Sequence, residues 1–380
     1  MKNSNEIKIA QKLIRCKSIA PNADSALKVV EKECKALGFK CKKLRFSEKG
    51  YDSISNLYAE IGSGKPHFSF AGHVDVVPAE KKDWAVDPFA GKIKNNFLIG
   101  RGAVDMKSAI ACFLSSAKSF LNENNNFKGK ISMMITSDEE TYAWLGTRKI
   151  LQWLKKKNIK IDNCLVGEPT NLKVLGDQIK IGRRGGFNCM VEVQGKEGHS
   201  AWPNRTINPV SGLMKMLTNI DKKVLDKGTK HFQPSIISVT SIDVGNEALN
   251  VIPAKARGSF NIRFNTNHTI KSLTKWIKKE FNKVGLKYKL ETYVSGNAFL
   301  TKPGKFSELI KKCIKKITKR NPKYATDGGT SDARFIKDYT NVVEFGLVGK
   351  TMHTNNEKVS LKDLKNLTKI YKLILEEYFK

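Results

Sequence analysis

The 380-residue sequence predicts an α/β protein with a mainly parallel central sheet between helical layers, interrupted by an inserted βαββαβ domain of the ferredoxin-like kind. Three observations predict it. Short apolar runs alternate with amphipathic stretches through the first half, the order of elements changes near Lys180, and the first pattern resumes after Gly296. A chain of this length also exceeds one ordinary core, so two domains are expected on size.

Ile7, Ala10 and Ile14, then Leu27, Val30, Cys34 and Leu37, recur at helical spacing, and Gly38 stands where the second helix should stop. Strands are expected over 40–46, 56–61 and 67–71. A helix carrying Met106, Ile110, Phe113, Ala117 and Leu121 on one face follows Asp105, and 131–136 is strand again. Beyond Lys180 the pattern reads strand 187–193, helix 209–220, strands 235–242 and 256–264, helix 273–281 and strand 287–293. Helix 306–317, strand 342–345 and a closing helix over 361–378 return to the first style. The main domain is therefore expected to be discontinuous, formed by residues 1–180 and 295–380, with 181–294 inserted. No internal repeat or low-complexity linker interrupts this plan.

Composition narrows the function classes. No apolar run approaches the roughly 20 residues of a membrane span, and residues 1–20 lack a signal-like hydrophobic stretch, so no membrane association and a cytoplasmic location are expected. Seven cysteines, an odd number without framework spacing, read as reduced thiols. The formal net charge of +32 raises nucleic-acid binding. Against it, only 11 of the 68 basic residues are Arg, Lys is spread along the whole chain, and no aromatic residues interleave with the Lys clusters to stack on bases. Solvated faces and no nucleic-acid partner are expected, with a diffuse positive field that favours a small anionic substrate.

The apolar runs 68–71, 131–135 and 164–166 are each followed closely by residues that ligate metals: His73 with Asp75, the pair Glu139-Glu140, and Glu168. Asp105 and His353 add to the set. Sites in open α/β sheets form at the carboxyl ends of strands. Imidazole and carboxylate donors without a Cys-x-x-Cys pair suit zinc that keeps a position open for water, and a bridging carboxylate can hold two ions about 3.5–4 Å apart. Each piece alone also has a plain structural reading. His-x-Asp at a strand end is commonly a polar turn, Asp138-Glu139-Glu140 a solvated helix start, and Glu168-Pro169 a turn.

The segments Gly72-His73-Val74-Asp75, Gly100-Arg101-Gly102-Ala103-Val104-Asp105-Met106-Lys107, Ser137-Asp138-Glu139-Glu140, Gly167-Glu168-Pro169-Thr170, Gly182-Arg183-Arg184-Gly185, Gly198-His199-Ser200-Ala201-Trp202-Pro203, Asn250-Val251-Ile252-Pro253, Gly328-Gly329-Thr330-Ser331-Asp332 and Met352-His353 occur in this order. Together they resemble the di-zinc aminoacylase and carboxypeptidase clan. Within it the chain is most similar, essentially end to end, to the bacterial succinyl-diaminopimelate desuccinylase family. The resemblance implies a catalytic domain with two Zn2+ per subunit, Co2+ or Mn2+ being alternatives at one site. His73, Asp105 and Glu168 would hold one ion and Asp105, Glu140 and His353 the other. It further implies that Asp75 accepts the second N–H of the His73 imidazole and that Glu139 is the general base. His199 would reach the oxyanion from the partner of a homodimer built through the inserted lid domain. Arg183 would pair with the succinyl carboxylate, and Asn250, Gly329 and Thr330 would contact substrate. His199 and Arg184 also read as a surface turn residue and a structural partner. Trp202, Thr141 and Gly349 depart from residues common in the family, which bears on substrate preference and leaves the metal set intact. Another amidohydrolase of the clan, an acetylornithine deacetylase or a dipeptidase, is the neighbouring alternative.

Overall fold

Every residue of the strand His67–His73 is buried, because it runs parallel between Gly129–Thr136 on one side and Asn163–Val166 on the other. Covered at both edges and on both faces, the strand buries its polar residues along with Phe68, Phe70 and Ala71, and the ring of His67 meets the Ser132 hydroxyl at 2.8 Å. The computed structural model describes residues 4–221 and 223–380. The chain divides into two compact units, one of Met1–Ile181, Thr301–Ala325 and Ser331–Lys380, the other of Gly182–Leu300 with Thr326–Thr330.

In the first unit an eight-stranded sheet has the order Lys40–Glu48, Tyr51–Ser63, Gly129–Thr136, His67–His73, Asn163–Val166, Asn341–Glu344, Gln178–Lys180, Lys323–Ala325. Its centre is parallel. The first two strands are antiparallel to their neighbours, as Lys49-Gly50 is too short a link for a parallel crossover and Gly50 takes the positive φ that such a turn needs. The helix Lys107–Glu123 packs between Asn5–Arg15 and Leu361–Tyr378. It brings Phe113 onto Phe70 of the central strand, stacked at 4.3 Å between ring centroids, with Tyr371 edge-on to Phe70 at 5.8 Å. The Tyr371 hydroxyl donates to the Phe345 carbonyl at 2.6 Å, so this buried ring leaves no unmet polar atom.

Some elements escaped the sequence reading. The helix Thr147–Lys156 and a three-stranded sheet of Lys92–Lys94, Phe97–Ile99 and Lys358–Ser360 lie outside the expected set. Three-residue strands are too short to show a period, although Asn95-Asn96, both at positive φ, form the turn that joins the first two. The strand Tyr51–Ser63 also begins five residues before its apolar stretch does.

The second unit has the element order βαββαβ. Its antiparallel sheet runs Ile236–Asp243, Lys255–Phe264, Gly185–Gln194, Tyr288–Gly296. Phe187, Cys189, Val191 and Val193 alternate inward from one strand, and meet Leu213, Met216 and Leu217 of Pro209–Asp221 and Leu273, Ile277 and Phe281 of Ile270–Asn282. The second helix starts in a capping box between Thr269 and Ser272. Among the described residues no helix is long and apolar enough to cross a membrane.

Phe70→Ala should destabilise the first unit by about 3–5 kcal/mol, because the lost ring leaves a cavity between Phe113 and Tyr371 that a packed sheet cannot close. Urea unfolding followed by fluorescence reads this directly.

Candidate metal centre

Parallel neighbours bring their carboxyl ends to one edge, and the chain places its charged residues there. His73 is the last residue of its strand, Glu139 and Glu140 follow Gly129–Thr136 by three and four residues, and Glu168 follows Asn163–Val166 by two. Asp105 sits two residues before the helix Lys107–Glu123. His353 arrives from a distant loop with φ 60.

Five of these six, all but Glu139, form two sets that share one member. Ligand atoms of His73, Asp105 and Glu168 lie within 4.8 Å of one another, as do those of Asp105, Glu140 and His353. Asp105 faces both ways: its Oδ1 is 3.1 Å from His73 Nε2 and its Oδ2 is 3.3 Å from His353 Nε2. His73 Nε2 also lies 3.7 Å from Glu168 Oε1, and His353 Nε2 lies 2.9 Å from Glu140 Oε1. Two nitrogen–oxygen sets joined through one carboxylate, free of sulfur, fit a pair of divalent cations.

Electrostatics point the same way. Desolvation opposes charge on Asp105, yet hydrogen bonds from His353 and His73 hold its carboxyl well below the usual range. Burial likewise opposes a charged His73, but the bond to Asp105 and the charges of Asp105, Asp75 and Glu168 raise its affinity for a proton. Hydrogen bonds to Asp105 and Glu140 push His353 up to about 10. The carboxylates thus draw positive charge into their midst, which divalent ions supply. Burial pushes Glu139 up to about 8.

Asp75 orients His73 differently from the expectation. The acceptor for Nδ1 is the Asp75 main-chain oxygen at 3.0 Å, with the carboxylate Oδ1 at 3.7 Å. The carboxylate is engaged elsewhere: Oδ2 accepts the backbone N–H groups of Glu139 and Glu140, both at 2.9 Å. Burial pushes this carboxyl up to about 7.

Two residues carry the centre's loops without a ligand pattern to mark them, and the first of them, Asp138, lies in a loop where the sequence also offered a solvated helix start. Asp138 accepts from the Thr141 hydroxyl at 2.6 Å and the Ala143 and Leu145 amides at 3.2 and 2.8 Å, closing the loop after the paired acids. An Asp opening a turn was a signal for it. Glu357 binds the backbone on both sides of Val104, and nothing in its local sequence marks it.

In the second unit the remaining candidates fall into two groups. His199 and Asn250 are neighbours, since Gly198–His199 pairs antiparallel with Val251–Ile252 and the Ser200 amide donates to the Asn250 carbonyl at 2.8 Å. The His199 Nδ1 accepts from the Ala201 amide at 3.1 Å, and both His199 and Asn250 are exposed. Arg183 is buried, and its Nη1 donates to the Gly329 carbonyl at 3.2 Å beside half-buried Thr330. Trp202 is exposed with the Arg205 guanidinium over its ring.

Comparison with known proteins adds sequence evidence to this geometry. The signature of peptidase family M20/M25/M40 matches residues 69–377. A protein of Parvibaculum lavamentivorans named succinyl-diaminopimelate desuccinylase is 50% identical over 98% of this chain and 95% of its own length. One of the same name from Pelagibacter ubique is 50% identical over the whole of both chains. The crystal structure of an M20-family metallo-carboxypeptidase from Sulfolobus solfataricus superposes with a TM-score of 0.79, covering 99% of each chain at 18% identity, a likeness of fold.

Asp138→Ala should free the Ala143 and Leu145 amides and cost about 1–3 kcal/mol of stability, the penalty for stranding buried donors. Hydrogen exchange at those two amides should accelerate while the strand Gly129–Thr136 stays protected.

Proposed function

The chain belongs to peptidase family M20/M25/M40, and on that footing we propose that it hydrolyses N-succinyl-LL-2,6-diaminopimelate to succinate and LL-2,6-diaminopimelate, a step of lysine and diaminopimelate synthesis. The observation that carries the choice of substrate is the 50% identity kept from end to end with two proteins named for that activity. The shared carboxylate of Asp105 between two ligand sets supports the class of reaction.

In this reading His73, Asp105 and Glu168 hold one Zn2+, and Asp105, Glu140 and His353 the second, with Co2+ or Mn2+ able to replace zinc at one position. Bound there, the ions supply Lewis acidity and make water a competent nucleophile at neutral pH. Glu139 takes a proton from the attacking water and returns it to the leaving nitrogen. Its partly buried setting raises its proton affinity, which suits a group that must accept and then release a proton. Asp75 fixes the backbone of both acids, so that Glu139 and Glu140 keep separate tasks.

Arg183 recognises the succinyl carboxylate, for which a planar guanidinium braced on the Gly329 carbonyl is suited. Asn250, Gly329 and Thr330 contact the remainder of the substrate. His199 donates to the oxyanion within a homodimer formed through residues 181–294. An edge strand with exposed Ile236 and Ile242 in that segment supports pairing between copies. Free cysteines suit a cytoplasmic setting.

Glu139→Gln should lower kcat by a factor on the order of 10²–10⁴ while elemental analysis still finds two ions per chain. A variant that loses metal would mean that base and ligand are exchanged in this scheme. Arg183→Met should lower kcat/KM for the succinylated substrate by roughly 10–100-fold, the worth of a charged hydrogen bond, and leave an N-acetyl analogue unaffected. Equal losses on both substrates would refute the carboxylate pairing, and faster turnover of acetylornithine by the unaltered protein would overturn the substrate itself.

A further inference from the structure

Glu357 has no part in the scheme above, yet it is fully buried and its carboxylate receives four donors. Oε1 accepts the Val104 amide at 2.7 Å and the Asp105 amide at 3.2 Å. Oε2 accepts the Gly102 amide at 3.1 Å and the Arg101 guanidinium at 2.8 Å. Three amides of one short loop converge on a single side chain only when the loop is wound tightly around it. Gly102 allows this winding with a φ of +80, and a Cβ there would come within 2.8 Å of Val76 and 2.9 Å of the Lys107 side chain.

The wound loop ends at Asp105, the residue common to both ligand sets. Its own N–H is one of the four donors, so the bond to Glu357 fixes the backbone from which the bridging carboxylate projects. Glu357 also lies four residues after His353. Its main-chain oxygen accepts the Gly100 amide at 3.0 Å, and Arg101 reaches the carbonyls of Thr354 and Pro78 at 3.4 Å. One side chain therefore ties the loop of Asp105 to the loop of His353, although about 250 residues separate them in sequence.

We infer that Glu357 is a positioning residue for the metal centre: by clamping the 101–105 loop it sets the direction of the Asp105 carboxylate and with it the affinity of the centre for its ions. The inference rests on the dinuclear reading given above. Partners of this kind typically change metal affinity by 10–100-fold when removed.

Glu357→Gln supplies the test. The amide keeps one acceptor oxygen and turns an NH2 group toward two of the four donors, so the loop must rewind or leave them unmet. The readout is the dissociation constant for Zn2+, measured on folded protein by competition with a chromogenic chelator and checked by circular dichroism. The expected result is an affinity lower by at least tenfold for one or both ions. Leu367→Ala, a fully buried residue of the helix Leu361–Tyr378, provides a comparably destabilised protein, whose Zn2+ affinity should stay within threefold of the parent.

Were Glu357→Gln not to fold, Glu357→Asp would decide, as it keeps the charge and retracts the carboxylate by one methylene. A folded variant with parental affinity for both ions overturns the inference, as does an equal loss in Leu367→Ala. Failure of the unaltered protein to bind two ions would instead remove the dinuclear reading beneath it.

Discussion

The centre depends on one buried carboxylate that faces two histidines at once. Asp105 directs Oδ1 to His73 and Oδ2 to His353, and neither contact is available to a residue that can rotate freely. Burying a carboxylate away from water is unfavourable by several kcal/mol unless cations and hydrogen bonds replace its hydration. Here His73 and His353 face it, and the first unit gathers the two ligand sets from five separate stretches of chain: the end of the central strand, the Asp105 loop, the loop after Gly129–Thr136, the segment after Asn163–Val166 and the His353 loop. The parallel sheet makes the arrangement attainable, because neighbouring strands end together.

Adjacent residues can then have opposite duties. Glu139 and Glu140 share backbone restraint, both amides bonding to Asp75 Oδ2, while their side chains part. Glu140 meets His353 and belongs to a ligand set, whereas Glu139 belongs to neither set and has its proton affinity raised by burial. Different surroundings for two adjacent carboxyl groups are how one site can contain both a ligand and an acid–base group.

Much of this was legible in the sequence, for a physical reason. Strands covered on all sides are apolar and end abruptly, so the polar residues just past 68–71, 131–135 and 164–166 stood out. The amphipathic closing helix and the alternating strand 187–193 were equally plain. Features made by the main chain were silent. His73 is oriented by a backbone oxygen of Asp75, which no side-chain pattern reports. Glu357 acts on amides that every residue possesses, so neither spacing nor composition betrays it. Short pairings such as Phe97–Ile99 with Lys358–Ser360 join distant segments through too few residues to carry a period.

The division of labour between the two kinds of cation explains why a net charge of +32 coexists with an acidic centre. Lys clusters such as those of Lys271, Lys275 and Lys278 lie along helix faces, where each ammonium group remains hydrated and contributes mainly to the long-range field. Arginine is scarce and its positions are specific. Arg101 is sealed against Glu357, Arg183 is buried against the Gly329 carbonyl, and Arg263 has its proton affinity lowered by burial and by the nearby Arg184 charge. A diffuse field draws anions toward the surface without distinguishing among them. Selection between a succinyl and an acetyl group requires a desolvated, directional donor, so the proposed specificity calls on a buried guanidinium such as that of Arg183 and not on the charge that dominates the composition.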